Sequence, residues 1–291
     1  FVLIISNFNN ILKNGYEDRL PKIIKKNSID RLLNELKDDN GERCFENIKG
    51  CRFNTDSIKK VYIVGDSHMA TLSVNLKNRV IENQYQFITS VISACIYFPN
   101  FNLVRNSGQI NEKCNNEYFQ KIKKKLSKEK NSIIIFGGRL PVYLSNYYFD
   151  NQEGGVEGKK WSSKFTSKNK EYDTIQSSFK NEVLKLSKNN KIILIYPIPA
   201  VGWDPNKKIW LSRKNKFSKT FNLIEITTSY EVYKNRTKSS FQLLDSIKND
   251  NVYRVYPHRL FCNNAIKSRC ITHNDKDIFY SDDDHPSYKG A

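Results

Sequence analysis

Short apolar runs alternate along the chain with longer stretches in which apolar residues recur every three or four positions. The runs predict buried β-strands, and the spaced stretches predict amphipathic helices. Predicted strands cover residues 61–64, 87–92, 132–136, 191–196 and 252–256, and predicted helices cover 69–80, 119–126, 175–186 and 230–244. Strands separated by helices are typical of a parallel sheet. The pattern therefore predicts a doubly wound, three-layer α/β domain whose chemistry collects at the carboxyl ends of its strands.

Residues 1–58 lack this alternation, so we interpret them as a linker or extension packed on a main domain of residues 59–291. Within the extension, residues 28–37 predict a short helix. The opening run FVLIISNF is too short to span a bilayer. It fits either a short buried strand or the last turns of a membrane helix. At the other end the chain stops at Lys289-Gly-Ala291 without a closing helix, and we expect both ends to be fragment edges.

The net charge of +18 raises the question of a nucleic-acid partner. The positive residues are mostly lysines scattered among Asn, Ile and Ser, with no arginine-rich stripe, zinc-finger spacing or RNA-binding signature. We therefore expect no nucleic-acid partner. Two interpretations stay open, and we favour the first: solvated lysine faces, or attraction to anionic lipid headgroups or acidic glycans.

Six cysteines fall as three pairs that are close in sequence. The pairs are Cys44 with Cys51, Cys95 with Cys114, and Cys262 with Cys270. Six cysteines permit fifteen pairings, and the sequence alone does not choose among them. An even number closing short loops suits an oxidising compartment better than a zinc site. The four histidines show no metal-ligand spacing, so we expect neither a metal nor a cofactor.

The first predicted strand ends in Gly65-Asp66-Ser67-His68 and passes directly into a predicted helix. This order places the Ser67 hydroxyl at a strand-to-helix turn, where backbone N–H groups and the positive helix end face a developing oxyanion. A plain helix cap explains Asp66 or Ser67 equally well. Alone, the motif does not establish catalysis.

A candidate partner lies at the other end of the chain, in Asp282-Asp283-Asp284-His285. A serine hydroxyl needs an imidazole to accept its proton, and that imidazole needs an acceptor to fix its tautomer. Asp-x-x-His folds readily as one turn, so Asp282 is predicted to support His285. Asp283 and Asp284 either compete for this role or are solvated acids.

The two motifs resemble the first and last sequence blocks of the SGNH, or GDSL-like, hydrolase superfamily. Further segments are more specific: Ser93-Ala-Cys95, Gly137-Gly-Arg-Leu-Pro-Val-Tyr143, Tyr196-Pro-Ile-Pro199, Val201-Gly-Trp203 and Tyr280–His285. Together, over residues 40–291, they resemble the periplasmic SGNH domain fused behind the membrane part of acyltransferase family 3. That family has a flavodoxin-like, five-stranded parallel sheet, and the likeness shifts our interpretation of FVLIISNF toward the end of a membrane helix.

The resemblance implies an extracytoplasmic O-acyltransferase module on the periplasmic face of a bacterial inner membrane. Its partners would be an acyltransferase family 3 membrane domain in the same full-length chain and a polysaccharide or lipopolysaccharide acceptor. Ser67 would carry the acyl group, and a sugar hydroxyl rather than water would be the preferred acceptor. The alternatives are a stand-alone esterase or polysaccharide deacetylase, and a non-catalytic glycan-binding domain.

The sequence departs from the superfamily at the oxyanion hole. The usual third block, Gly-x-Asn-Asp, supplies an asparagine donor, but Gly137-Gly138-Arg139-Leu140 stands in its place. The usual second-block glycine has no clear counterpart either. We expect the Ser67 N–H and a group near Gly138 or Arg139 to act as donors, with a structural ion pair as the alternative for Arg139.

Overall fold

The central feature of the computed structural model is a six-stranded sheet with the order β1-β3-β2-β5-β7-β9. The structure describes residues 29–145, 147–157, 163–167, 172–214 and 226–291. The opening FVLIISNF segment lies outside the described residues.

Ten strands and eight helices occur in these described ranges. The strands are β1 (Arg52–Phe53), β2 (Lys60–Gly65), β3 (Gln86–Val91), β4 (Phe101–Arg105), β5 (Ile133–Phe136), β6 (Ser163–Ser167), β7 (Lys191–Ile195), β8 (Thr227–Ser229), β9 (Val252–Val255) and β10 (Arg269–Ile271). The helices are α1 (Ile29–Glu35), α2 (Ser67–Glu82), α3 (Asn116–Leu126), α4 (Leu140–Ser145), α5 (Ile175–Ser187), α6 (Pro205–Lys214), α7 (Tyr230–Asp245) and α8 (His258–Phe261).

The five parallel strands predicted from the sequence are confirmed, with β3, β2, β5, β7 and β9 paired in that order. When these five strands are numbered by their order along the chain, their side-by-side order in the sheet is 2-1-3-4-5, which is the flavodoxin-like arrangement. The short strand β1 adds an antiparallel edge beside β3 that the pattern did not predict.

Side chains alternate between the two faces of the sheet, as the two-residue period of a strand requires. Tyr62 and Val64 belong to a core with apolar residues of α3, α5 and α7. Val61 and Ile63 belong to a second core with apolar residues of α1 and α2. The sheet is therefore covered on both faces, and the predicted three-layer α/β/α class is confirmed.

The cysteines form three disulfides, Cys44–Cys51, Cys95–Cys114 and Cys262–Cys270. The Cys44–Cys51 pair, Leu32 and Leu36 are buried in the core shared with α2. Residues 29–58 therefore pack on the sheet through an apolar contact. No helix in the described ranges is long and apolar enough to cross a membrane.

We expect Gly50→Ala to lower the free energy of unfolding by about 2 kcal/mol or more. Gly50 has a φ of +69°, and a β-carbon there would lie 1.9 Å from the Thr89 carbonyl oxygen of β3. Gly41→Ala is the matched control, because Gly41 has a φ of +81° but open space around it. Urea denaturation should show a smaller loss for Gly41→Ala. Equal losses in both variants would contradict the predicted backbone contact.

Candidate active site

Ser67 is the first residue of α2, directly after the turn that closes β2. Asp66 caps the helix, and its carboxylate accepts a hydrogen bond of 3.0 Å from the His68 N–H. The turn requires Gly65, because a β-carbon there would lie 2.4 Å from the Gly137 carbonyl oxygen. The sequence thus folds Ser67 onto a helix N-terminus at the carboxyl edge of the sheet, where unpaired N–H groups concentrate.

The structure brings His285 and Asp282 to this serine, although they lie more than two hundred positions away in sequence. His285 Nε2 is 2.8 Å from Ser67 Oγ. On the other side of the ring, His285 Nδ1 is 2.8 Å from Asp282 Oδ2. Asp282 Oδ1 also accepts the His285 backbone N–H at 2.7 Å, so Asp-x-x-His forms the single turn predicted for it.

Asp284 is a second carboxylate on the same imidazole. Its Oδ1 is 2.9 Å from His285 Nδ1, and its Oδ2 is 2.9 Å from both His68 Nε2 and Arg139 Nε. Its side chain is 5% exposed, compared with 25% for Asp282. Asp284 is therefore not a solvated acid. It competes with Asp282 for His285 and ties that histidine to two further cationic or polar groups.

The two carboxylates dominate the protonation of His285. Burial alone lowers the pKa of this histidine, but the Asp284 charge and the hydrogen bonds that Asp282 and Asp284 accept from the ring outweigh burial and raise the pKa to about 10. Burial likewise raises the pKa of Asp284, but His285, His68 and Arg139 together hold that pKa well below its usual range. At neutral pH the site therefore favours an imidazolium whose Nδ1 faces two carboxylates.

Arg139 is engaged through its side chain and its backbone. Its guanidinium pairs with Asp284 and with Glu157, and its backbone N–H donates to Asp66 Oδ2 at 2.7 Å. This placement corresponds to the structural ion pair that the sequence left open for Arg139. Its predicted part in the oxyanion hole stays a prediction.

Asp66 is a buried tether that sequence reasoning missed. Besides capping α2, its Oδ2 accepts hydrogen bonds from the Arg139 N–H and, at 3.3 Å, from the Tyr143 hydroxyl. Burial and the Asp66 charge raise the pKa of Tyr143 well above its ordinary value. Gly138 lies against the same carboxylate, because a β-carbon there would be 2.9 Å from Asp66. Asp66 thus joins the loop after β2 to the loop after β5.

His68 follows the serine but faces Asp284 rather than Ser67. Its ring lies 5.1 Å from the His285 ring, between centroids, and both its side chain and that of Asp284 are buried. Nitrogen and oxygen atoms of His68, Asp284 and His285 lie within 4.8 Å of one another, a spacing that would also suit a cation. Direct hydrogen bonds and the Arg139 charge already account for this cluster.

Four aromatic residues, Tyr97, Tyr143, Trp203 and Trp210, are candidates from the sequence for stacking on sugar rings if they line the cleft. Tyr97 and Tyr143 are buried, so they serve as core residues. Trp203 is half-buried beneath the Lys208 ammonium, which lies 3.2 Å from the centre of its ring. The side chain of Trp210 lies outside the described part of the structure.

A model of the protein family described as "SGNH domain (fused to AT3 domains)" matches residues 28–291. The chain belongs to this family. A solved structure of the lipopolysaccharide acetyltransferase periplasmic domain from Salmonella ser. Paratyphi A has a similar fold, with a TM-score of 0.55. The two share 15% sequence identity over 95% of each chain, which is a likeness of fold. No curated protein sequence matches the chain.

Within this SGNH domain, the sequence motifs found Ser67, Asp282 and His285, but not the network behind them. Asp284 and His68 sit next to predicted site residues, yet their contact spans 216 positions. A hint was present in the sequence, since each motif carries two ionisable residues beyond those of a triad, among them His68 and Asp284. Only the fold shows that these extra residues meet.

Proposed function

We propose that this chain is the extracytoplasmic SGNH domain of a membrane O-acyltransferase. It transfers an acyl group, most simply acetyl, to a hydroxyl of a cell-surface polysaccharide through an acyl-Ser67 intermediate. The observation that carries the proposal is the continuous line of hydrogen bonds from Ser67 through His285 to Asp282, with both links at 2.8 Å. This is the arrangement that activates a serine hydroxyl.

In the first half-reaction, neutral His285 accepts the Ser67 proton at Nε2 while Oγ attacks the carbonyl carbon of the acyl donor. The tetrahedral intermediate collapses as the bond to the donor's leaving oxygen or sulfur breaks. The proton on His285 Nε2 moves to that leaving atom. The products are an ester on Ser67 and the free donor group, with His285 neutral again.

In the second half-reaction, a sugar hydroxyl replaces the departed donor group. His285 Nε2 removes its proton, the sugar oxygen attacks the acyl carbon, and the bond to Ser67 Oγ breaks. The proton then returns from His285 to Ser67. Asp282 and Asp284 stabilise the imidazolium in both steps, because two carboxylate oxygens face Nδ1 at 2.8 and 2.9 Å.

The oxyanion donors we propose are the Ser67 backbone N–H, at the first turn of α2, and the Gly138 N–H in the loop after β5. Helix N-terminal N–H groups point toward developing negative charge. The proposal keeps Arg139 as a group that positions Asp284, since its guanidinium already pairs with Asp284 and Glu157. Loss of one oxyanion donor usually costs about a hundredfold in rate.

Three observations support the extracytoplasmic setting. The family is named for its fusion to AT3 domains. The relative with the similar fold is titled a lipopolysaccharide acetyltransferase periplasmic domain. Three disulfides lie in the described residues, as expected for an oxidising compartment. We therefore propose an AT3 membrane domain as partner and a polysaccharide or lipopolysaccharide as acceptor.

The test of this function is acyl transfer to a defined polysaccharide. We expect the chain to move the acetyl group of p-nitrophenyl acetate to the source organism's surface polysaccharide, after that polysaccharide has been stripped of esters with mild alkali. NMR of the recovered polysaccharide should show new O-acetyl groups with the native chain and none with Ser67→Ala.

Release of acetate without any acetylated polysaccharide would favour the stand-alone esterase or deacetylase. Binding of the polysaccharide without reaction at Ser67 would favour a non-catalytic glycan-binding domain.

A further inference from the structure

An open groove lies at the carboxyl end of β3, the neighbour of β2 on the side away from β5. Its volume is about 360 Å³. We call it the β3-edge groove. It is lined by Glu46, Ile92, Ser93, Ala94, Arg105, Gln109, Ile110, Asn111, Glu112 and Lys113. Sites for small ligands commonly enclose about 300–1,000 Å³.

The floor of the groove begins one strand away from the nucleophile. Gly65 pairs with Val91 in the parallel register of β2 and β3, and the Ile92 N–H donates to the Gly65 carbonyl at 3.1 Å. Ser67 follows Gly65 by two residues, and Ser93 follows Val91 by two. Neighbouring strands are about 4.8 Å apart. A molecule lying on residues 92–94 is therefore beside the turn that carries Ser67.

The walls of the groove are held by contacts within the protein. The Cys95–Cys114 disulfide closes the segment that forms them. The Glu46 carboxylate accepts the Ser93 N–H at 2.8 Å and pairs with Lys113 Nζ, also at 2.8 Å. These contacts fix the groove before any ligand arrives, which lowers the entropic cost of binding.

The lining suits a hydroxyl-rich ligand. In the part of the chain that the structure describes, neither the Arg105 guanidinium nor the Gln109 side-chain amide has a protein partner, and both residues are exposed. Together they offer several hydrogen-bond donors and one acceptor. Ile110, which is 48% exposed, adds an apolar surface to the same groove lining. Sugar rings present hydroxyls at their edges and C–H groups on their faces, so this combination matches a glycan.

We propose that the β3-edge groove binds the acceptor glycan and presents one of its hydroxyls to the acyl group on Ser67. This inference rests on the proposed transferase function and adds the place where the acceptor lies. Arg105 and Gln109 hold sugar hydroxyls, and Ile110 packs on a ring face. Because the groove is open, a polymer can continue beyond it.

The double variant Arg105→Ala/Gln109→Ala tests the inference. The probe is the alkali-treated surface polysaccharide of the source organism, with p-nitrophenyl acetate as donor. We expect the KM for the polysaccharide to rise about tenfold or more, because the double variant removes a charge-assisted hydrogen bond to the sugar. Hydrolysis of p-nitrophenyl acetate without polysaccharide should stay within about twofold of the native rate.

Arg79→Ala is the matched control, because Arg79 is an exposed arginine in the last turn of α2, at the end away from Ser67. It should leave the KM unchanged. A normal KM for the double variant would overturn the inference, and so would a parallel loss of hydrolysis, which would mean that the substitutions disturb Ser67 itself.

A binding measurement separates this inference from the proposed function. Equilibrium dialysis of the same polysaccharide against Ser67→Ala protein should show weaker binding when Arg105 and Gln109 are also replaced. Groove-dependent binding without any acyl transfer in the native chain would count against the transferase and support the groove. If the polysaccharide does not bind, or binds equally well after the groove substitutions, the groove inference is overturned but the proposed function is not.

Discussion

Ser67→Ala should lower the rate of p-nitrophenyl acetate hydrolysis by about three orders of magnitude or more, as expected when the nucleophile of a serine triad is removed. The Ser67 hydroxyl is the group that His285 Nε2 meets at 2.8 Å. The free energy of unfolding should change little, because the side chain is only partly buried and contributes no cap to α2.

The matched control is Ser127→Ala, which removes an exposed serine hydroxyl at the C-terminal end of α3. It should hydrolyse the ester at the native rate. Stopped-flow absorbance at saturating ester measures both variants. If Ser67→Ala keeps a tenth or more of the native rate while remaining folded, Ser67 is not the nucleophile.

Asp282→Asn and Asp284→Asn should both slow the reaction, by about 10²–10⁴-fold at the best pH, because each removes a charge that stabilises the imidazolium. Asparagine keeps the shape of the side chain and removes its charge. The two aspartates differ in burial, with side-chain exposures of 25% and 5%. Since charges interact more strongly away from water, the larger electrostatic effect is expected at Asp284.

The pH profile distinguishes this effect from simple loss of structure. His285 must be neutral to accept the serine proton, and its pKa is raised to about 10. The native kcat/KM should therefore rise with pH through the alkaline range, reach half of its plateau near pH 10 and level off above that pH. Removing a carboxylate lowers the pKa of His285, so the rising limb should move to lower pH, further for Asp284→Asn than for Asp282→Asn.

Rates of ester hydrolysis between pH 6 and 11, corrected for the uncatalysed reaction, give these profiles. If Asp284→Asn lowers the plateau of the pH profile but leaves its rising limb at the native pH, then Asp284 supports the loop without acting on His285. A larger shift in Asp282→Asn would reverse the assigned order of the two carboxylates.

The sheet was predictable because its parallel strands are short apolar runs, of which β2, β3 and β5 are buried on both faces. Residues 61–64, for example, lie within the observed strand Lys60–Gly65. The antiparallel pair of β4 and β6 was not predicted. It joins Phe101–Arg105 to Ser163–Ser167, and the latter strand is polar and lacks a clear two-residue alternation. Such pairing depends on the surrounding fold more than on local pattern.

The candidate site, like the fold, was predicted only in part. Ser67, Asp282 and His285 were predicted because their motifs combine residue types that have a joint chemical use. For Asp66 the sequence offered only a helix cap, and for Asp284 it left competition for His285 and a solvated acid open. Their contacts with distant loops were not predicted. Asp66 reaches Arg139 across 73 positions, and Asp284 reaches His68 across 216. Burial decides whether such an aspartate is a solvated acid or part of a network, and local sequence does not report burial.

The central claim is that the acyl group passes through Ser67. It is tested most directly by mixing the chain with p-nitrophenyl acetate, quenching in acid within milliseconds to seconds, and locating the acetyl group by tandem mass spectrometry. The account predicts one acetyl ester on Ser67, which disappears faster when the alkali-treated polysaccharide is added. Acetylation confined to other residues, or equal labelling of Ser67→Ala protein, would contradict it.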